Sequence, residues 1–291
     1  MNDINKLLKE EIQKTISESL GDESMFTFDR SKHTAGDSLN ESYVAQSVKF
    51  DLKTELLSEK NKKEHQKLLD GYVEKLNRIS AELDGVSKEE SNLNFSLWRS
   101  LKIDEAYNHN AVFLHGLFFQ NISDLKSQIA VDSLTFMRLE RDFGSFDNWQ
   151  SDFIACALSA RNGWVVTCYN TQLKRYINVI IDLHSQNLMI GMHPVIVLDC
   201  WEHSYYRDYL KDRKTYVYGM MKELNWSVIE DRVKKADKII LENQLLGEIY
   251  SLNFRLRPGD GQGEQAYLKR QPYFQKMERF LVHETGIHFI D

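Results

Sequence analysis

Asp199 and His203 are the pair in this chain whose types and spacing most readily do chemistry. They lie in the run PVIVLDCWEHSYYRDY, where a strand ends at Asp199 and the histidine follows four residues later. A carboxylate and an imidazole leaving the end of one strand can converge on a single cation. Asp-x-x-x-His alone also describes a salt-bridged surface pair, but the flanks weigh against that reading. PVIVL would bury the strand, and Cys200, Trp201, Tyr205 and Tyr206 surround the pair with apolar and aromatic bulk. Buried charges need a partner or a metal. His115 fits the same logic, because Ala111, Val112, Phe113, Leu114 and Leu117 make an apolar helix in which an unpaired histidine is costly.

The segment DCWEH, followed by SYYRDYLKDRKTY and LNW, resembles the C-terminal signature of iron/manganese superoxide dismutases, usually written DxWEHAYY. FGSFDNWQSDFIACALSARNGWVV, beginning at Phe143, resembles that family's FGSF and GW segments. WRSLKIDEAYNHNAVFLHGLFFQN holds its second-helix histidine as His115, and HQKLLDGYVEKLN, beginning at His65, resembles its first-helix ligand segment. The resemblance covers residues 47 to 236.

It implies a mononuclear site with His65, His115, Asp199 and His203 as ligands and one iron or manganese per subunit. Three imidazoles and one carboxylate suit these redox metals better than calcium, and the missing thiolates weigh against structural zinc. The implied activity is disproportionation of superoxide to oxygen and hydrogen peroxide by a ping-pong cycle. Tyr72 stands seven residues after His65 where many members have eight, which leaves Glu64 as a competing ligand. Tyr72 itself matches the family's gateway tyrosine. Ala111 occupies the place of a helix glutamine that many members use to tune the metal. His184, fifteen residues before Asp199, resembles a branch in which histidine does that work, with Gln186 as the fallback. Phe119, Trp164 and Trp201 would wall the site. Leu69, with Leu68 beside it, stands where many members carry a histidine at the mouth of the site. Arg213 matches an arginine that attracts anions. Glu202 and Tyr206 resemble dimer contacts, Glu202 reaching His203 of the neighbouring subunit, so a homodimer is implied.

These residues need elements to hold them. Residues 53–83 and 102–129 read as two long helices joined by DGVSKEESN, a third helix is expected over 146–160, and β-rich runs follow at Trp164 to Tyr169, Tyr176 to Asp182 and Val195 to Leu198. Helices return from Tyr205 to Asp237. The expected fold is α+β: an N-terminal helical hairpin followed by a small antiparallel three-stranded sheet flanked by helices. The corresponding division is an extension at 1–46, the hairpin at 47–130, the metal-binding α/β part at 131–237 and a C-terminal extension at 238–291. Ile4, Leu7, Leu8, Ile12, Ile16 and Leu20 give the first extension an amphipathic helix that needs a docking surface. The last segment adds Tyr273, Phe274, Phe280 and Phe289.

Composition narrows the classes. With 42% hydrophobic residues in 291, the chain can fill an ordinary core. A net charge of −6 disfavours nucleic-acid binding, which needs a basic face. No apolar run reaches membrane-spanning length and no secretory signal opens the chain, so a cytoplasmic protein is expected. Cys156, Cys168 and Cys200 lack the spacing of a disulfide framework or zinc ribbon. The extensions support an alternative to the enzyme: a structural subunit of a large assembly, such as a virion, with the tails docked on other proteins.

Overall fold

A computed structural model describes residues 26–27, 44–122 and 127–237. The amphipathic helix expected over 3–20 and the segment 238–291 lie outside them. A short antiparallel pair, β1 (Phe26–Thr27) with β2 (Val44–Ala45), occurs within a stretch read from sequence as loop. The helical hairpin follows as α1 (Glu59–Gly85) and α2 (Leu97–Asn121).

Serines set where the helices begin. Ser58, Ser96, Ser133 and Ser145 each accept a hydrogen bond from the backbone N–H three residues on, at Asn61, Arg99, Phe136 and Asn148. Each satisfies an N–H that the first helical turn cannot pair internally. The hairpin helices therefore start later and earlier, respectively, than the expected 53 and 102. The second stops at Asn121, short of 129, because that residue is held from outside the helix. Its carbonyl accepts from the Asn225 N–H at 2.7 Å, and its amide donates to the Val197 carbonyl at 2.9 Å. Along α1, the buried residues Asn61, His65, Leu69, Val73, Leu76, Ser80 and Leu83 recur every three or four positions, forming one seam. His65 lies in that seam.

Two helices then cross to the sheet. The first, α3 (Leu134–Phe143), is absent from the sequence reading; α4 (Phe146–Ser159) is close to the expected 146–160. Gly144 separates them at φ 83°, a left-handed conformation suited to glycine, and Ser145 caps the next helix. The Glu230 carboxylate accepts from the N–H groups of Leu134 and Thr135 at 3.1 and 2.8 Å, at the start of α3. Burial raises the Glu230 carboxyl, but the hydrogen bonds from Thr135 and Leu134 outweigh it and hold the group below its ordinary 4.5. Its stabilisation is therefore present above pH 4.5 and is lost as the pH falls through the lowered value. Glu230→Ala should cost about 1–2 kcal/mol near neutrality. Urea unfolding of both proteins checks this, and the difference should shrink on acidification.

The sheet is antiparallel with the order β4-β3-β5: β3 is Gly163–Asn170, β4 Arg175–Asp182 and β5 Met192–Asp199. All eight residues of central β3 are buried. At its start a Cβ on Gly163 would lie 2.1 Å from the Ile181 carbonyl oxygen, so glycine is required for the strands to pair. Trp164 pairs with Asp199 across β3 and β5. The helices expected over 205–237 are three: α5 (Glu202–Tyr209), α6 (Arg213–Met220) and a stretch at 226–237. Leu210 at φ 51° breaks the first from the second, and Asp212 caps α6 through the Thr215 N–H. The fold is α+β. Among the described residues, no helix is long and apolar enough to cross a membrane.

Candidate metal centre

Each of the four elements brings one ligand candidate inward. His65 comes from the buried seam of α1 and His115 from the fully buried face of α2. Asp199 ends β5, and His203 sits in the first turn of α5, with 27% of its side chain exposed. Glu64 points the other way, half-exposed and paired with Lys67 at 2.9 Å. One helical step decides between these neighbours, since adjacent residues on a helix face directions about 100° apart.

Asp199 Oδ2 lies 3.1 Å from His65 Nε2, 3.1 Å from His203 Nε2 and 3.8 Å from His115 Nε2. The four donor atoms all fall within 4.8 Å of one another. Two donors bound at about 2.1 Å to one ion, 90–120° apart, would be separated by about 3.0–3.6 Å. The two 3.1 Å separations fall in that range and the 3.8 Å one lies just above it, so small side-chain movements would let one ion gather all four donors. Among the described residues, both nitrogens of His65 and Nε2 of His115 are buried with no contact that meets hydrogen-bond geometry, the 3.1 Å approach of Asp199 to His65 included, a costly state for polar atoms unless something else fills it. His115 Nδ1 is 2.6 Å from the Ala111 carbonyl, which holds the proton on Nδ1 and leaves the Nε2 lone pair facing the other donors. Asp199 Oδ1 accepts from the Trp201 N–H at 2.8 Å, while Tyr216 donates its hydroxyl to the Asp199 carbonyl at 2.8 Å. These contacts orient the carboxylate with Oδ2 inward.

Burial lowers His65 and pushes His115 well below the ordinary histidine value, favouring neutral imidazoles, the form that binds metal. Burial raises Asp199, but neighbouring His203 and His65 outweigh it and hold the carboxyl well below the usual range. Three imidazole nitrogens and one anionic oxygen suit iron or manganese.

Aromatic rings close the site. Phe119 stands edge-on to His65 at 4.8 Å between centroids, Trp164 edge-on to His115 at 4.8 Å, and Trp201 stacks on His203 at 5.6 Å. Phe118, not singled out from sequence, joins them at 5.7 Å from His65.

His184 is fully buried beside this wall. It follows Leu183, whose φ of 55° is unusual for a leucine and turns the chain sharply after β4. Trp164 donates its indole N–H to His184 Nδ1 at 3.0 Å, and His184 Nε2 lies 3.1 Å from the Tyr72 hydroxyl. Burial lowers the His184 pKa to about 4, so the ring is neutral near pH 7. Gln186 is exposed. Burial raises Tyr72, and Tyr107, a residue the sequence reading missed, packs edge-on against His184 at 4.7 Å between centroids. Tyr107 stands eight residues before His115, a little over two turns along α2 and about 80° round it, which is the one trace it leaves in the sequence. Leu69 is buried in the hairpin seam.

Arg213, expected to attract anions, spends its guanidinium on carbonyls. It donates to Arg161 at 2.8 Å, to Cys200 at 2.7 Å and also to Ala160, fastening the ends of α4 and β5. Glu202 and Tyr206 are exposed on α5 next to the ligand candidate His203.

A helical hairpin and a small sheet meeting at three imidazoles and a carboxylate define a mononuclear metal-binding α+β protein. The family model for iron/manganese superoxide dismutases, C-terminal domain, matches residues 133–232. The chain is 35% identical over 133 residues to superoxide dismutase [Mn] 1 of Halobacterium salinarum, covering 46% of this chain and 66% of that one. It is 32% identical over 171 residues to superoxide dismutase [Fe] of Aquifex aeolicus, covering 58% of this chain and 79% of that one. Superoxide dismutase [Mn] 1 of Haloferax mediterranei is 42% identical over 96 residues, 33% of this chain and 65% of that one. Across such relatives the match spans between 60% and 79% of their own length. The chain belongs to the iron/manganese superoxide dismutase family.

Proposed function

We propose that this chain is a superoxide dismutase, converting two superoxide ions and two protons into oxygen and hydrogen peroxide. The observation that carries this reading is the buried cluster of His65, His115, Asp199 and His203, with imidazole nitrogens left unpartnered among them. A bound iron or manganese supplies one-electron redox change between divalent and trivalent states. The chain supplies the rest. Asp199 contributes the one negative donor, Phe119, Trp164 and Trp201 keep bulk water away, and His184 with Tyr72 places hydrogen-bond donors beside the cluster. The test is superoxide decay with the full chain freed of metal and then reloaded with iron or manganese. The decay should accelerate in proportion to bound metal; a loaded chain no faster than free metal would overturn the reading.

The same surface supports a homodimer. Glu202 is exposed one residue before His203, and Tyr206 is 52% exposed on the same helix, so a second copy can reach the ligand from outside. In an isologous pair each Glu202 would meet the other copy's His203. Glu202→Ala should shift sedimentation toward monomer by at least about tenfold in dissociation constant; unchanged association would remove this contact. Three free cysteines, two of them buried with thiols pushed up to about 12, are consistent with a reducing, cytoplasmic setting. The alternative of an assembly or virion subunit rests on residues 1–46 and 238–291, nearly all outside the described residues. No observation among the described residues favours it.

A further inference from the structure

Two of the four ligand candidates are aimed by hydrogen bonds of their own, His115 through the Ala111 carbonyl and Asp199 through the Trp201 N–H. His65 is not: its Nδ1 is buried and makes no hydrogen bond among the described residues. Where its Nε2 falls relative to His203 therefore depends on how α1 lies against α5. Asn61 stands one turn before His65 in the same buried seam and bridges those two helices. Its side-chain amide donates to the Ser204 carbonyl at 3.0 Å and to Asp208 Oδ2 at 2.9 Å. A carbonyl and an ionised carboxylate only accept, so both N–H groups of the amide face α5 and both are used. Asp208 Oδ2 also accepts from the Ser58 N–H at 3.0 Å, at the N-cap of α1. Ser204 carries this grip to the site, because it follows His203 directly and is fully buried. Its hydroxyl lies 2.6 Å from the Trp201 carbonyl and 3.2 Å from the Asp199 carbonyl. One residue thus joins the end of β5, the first turn of α5 and, through Asn61, α1, which are three of the four elements that bear ligand candidates.

We propose that Asn61 is a positioning residue for the metal centre, setting the separation of His65 and His203 by clamping α1 onto Ser204 and Asp208. The idea rests on the reading of the four-residue cluster as a metal site. The rings of His65 and His203 stand 4.9 Å apart between centroids, and Asp199 Oδ2 is 3.1 Å from the Nε2 of each. A metal–ligand bond tolerates only about 0.2 Å of misplacement. Apolar contacts are non-directional and allow one helix to shift along another by more than that, whereas two hydrogen bonds from one planar amide do not. Asn61 acts one helical turn from His65, so a shift of α1 at Asn61 is passed to the ligand atom almost undiminished. Alanine at position 61 releases the clamp but leaves the Ser58 N–H on Asp208 and the Ser204 hydroxyl on Trp201, so the chain should still fold.

Asn61→Ala in the full chain, freed of metal and titrated with manganous ion alone, is the test. The electron paramagnetic resonance signal of free manganese gives the dissociation constant, and that of bound manganese gives the zero-field splitting, which follows the arrangement of the donors. The dissociation constant should rise by about ten- to a hundredfold, the usual effect of removing a support behind a metal ligand, and the splitting should change. Circular dichroism should match the wild type. Glu230→Ala supplies the comparison, because the contacts it loses join two helices that carry no ligand candidate. It should lower stability and leave affinity and splitting as they are. A folded Asn61→Ala variant with wild-type affinity and splitting would overturn the proposal. Weaker binding in both variants, in step with lost stability and with the splitting unmoved, would also overturn it and leave Asn61 a part in folding alone. Should Asn61→Ala fail to fold, Asp208→Ala decides, since it cuts one arm of the clamp: binding should weaken severalfold with an altered splitting, and neither change would sink the idea. A wild-type chain whose manganese affinity is untouched by Asp199→Asn would remove the metal-site reading itself, and this proposal with it.

Discussion

Asp199→Asn should reduce bound iron or manganese to less than about a tenth of the wild-type content and remove activity with it. Asp199 is fully buried and is the one anionic group among the four donors. An amide of the same shape keeps the Oδ1 contact with the Trp201 N–H but brings no charge to a buried cation. Removing one partner from a buried charged pair typically costs about 3–5 kcal/mol, which corresponds to a loss of about a hundredfold to several thousandfold in affinity. The Tyr216 and Ser204 hydroxyls bond the Asp199 backbone carbonyl, so the strand end stays anchored and the fold should survive. Elemental analysis of variant and wild type prepared together, with circular dichroism to confirm folding, reads the effect. A folded variant retaining full metal would show that the charge lies elsewhere.

His184→Ala should leave the metal content near wild type while lowering turnover by about a hundredfold. His184 is not among the four clustered donors; it reaches Trp164 on one side and Tyr72 on the other. Its removal leaves the Trp164 indole N–H buried without an acceptor, which costs about 1–3 kcal/mol, and opens a cavity beside Trp201, whose ring stacks on it at 4.9 Å. Melting temperature should therefore fall as well. His184→Gln separates the two effects, since an amide can accept from Trp164 and donate to Tyr72 together. It should recover most of the stability and a larger share of turnover than alanine. Metal loss from His184→Ala with unchanged activity per remaining metal would take His184 out of this role.

That Asp199 and His115 would converge with other polar groups was legible in the sequence because burial makes charge expensive. Asp199 follows a run that can only be core, and His115 sits in an apolar helix, so each needs a partner. The choice between Glu64 and His65 was not legible from spacing, because it depends on which face of α1 meets α2. Helix boundaries went astray where the serine caps were passed over, as at Ser58 and Ser96. The ten residues of α3 were missed although Ser133 and Gly144 punctuate them. Arg213 showed its charge in the sequence but not the three carbonyls that occupy it, and Tyr107 meets His184, 77 residues on, only through tertiary packing. Tertiary partners of this kind leave almost no local signature.

The most direct measurement is anomalous diffraction from crystals of the metal-loaded full chain, collected on both sides of the iron and manganese absorption edges. One peak per chain is expected, within about 2.3 Å of His65 Nε2, His115 Nε2, His203 Nε2 and Asp199 Oδ2. A peak bound elsewhere, or a stoichiometrically loaded crystal with no peak among these four atoms, would contradict the assignment of the site.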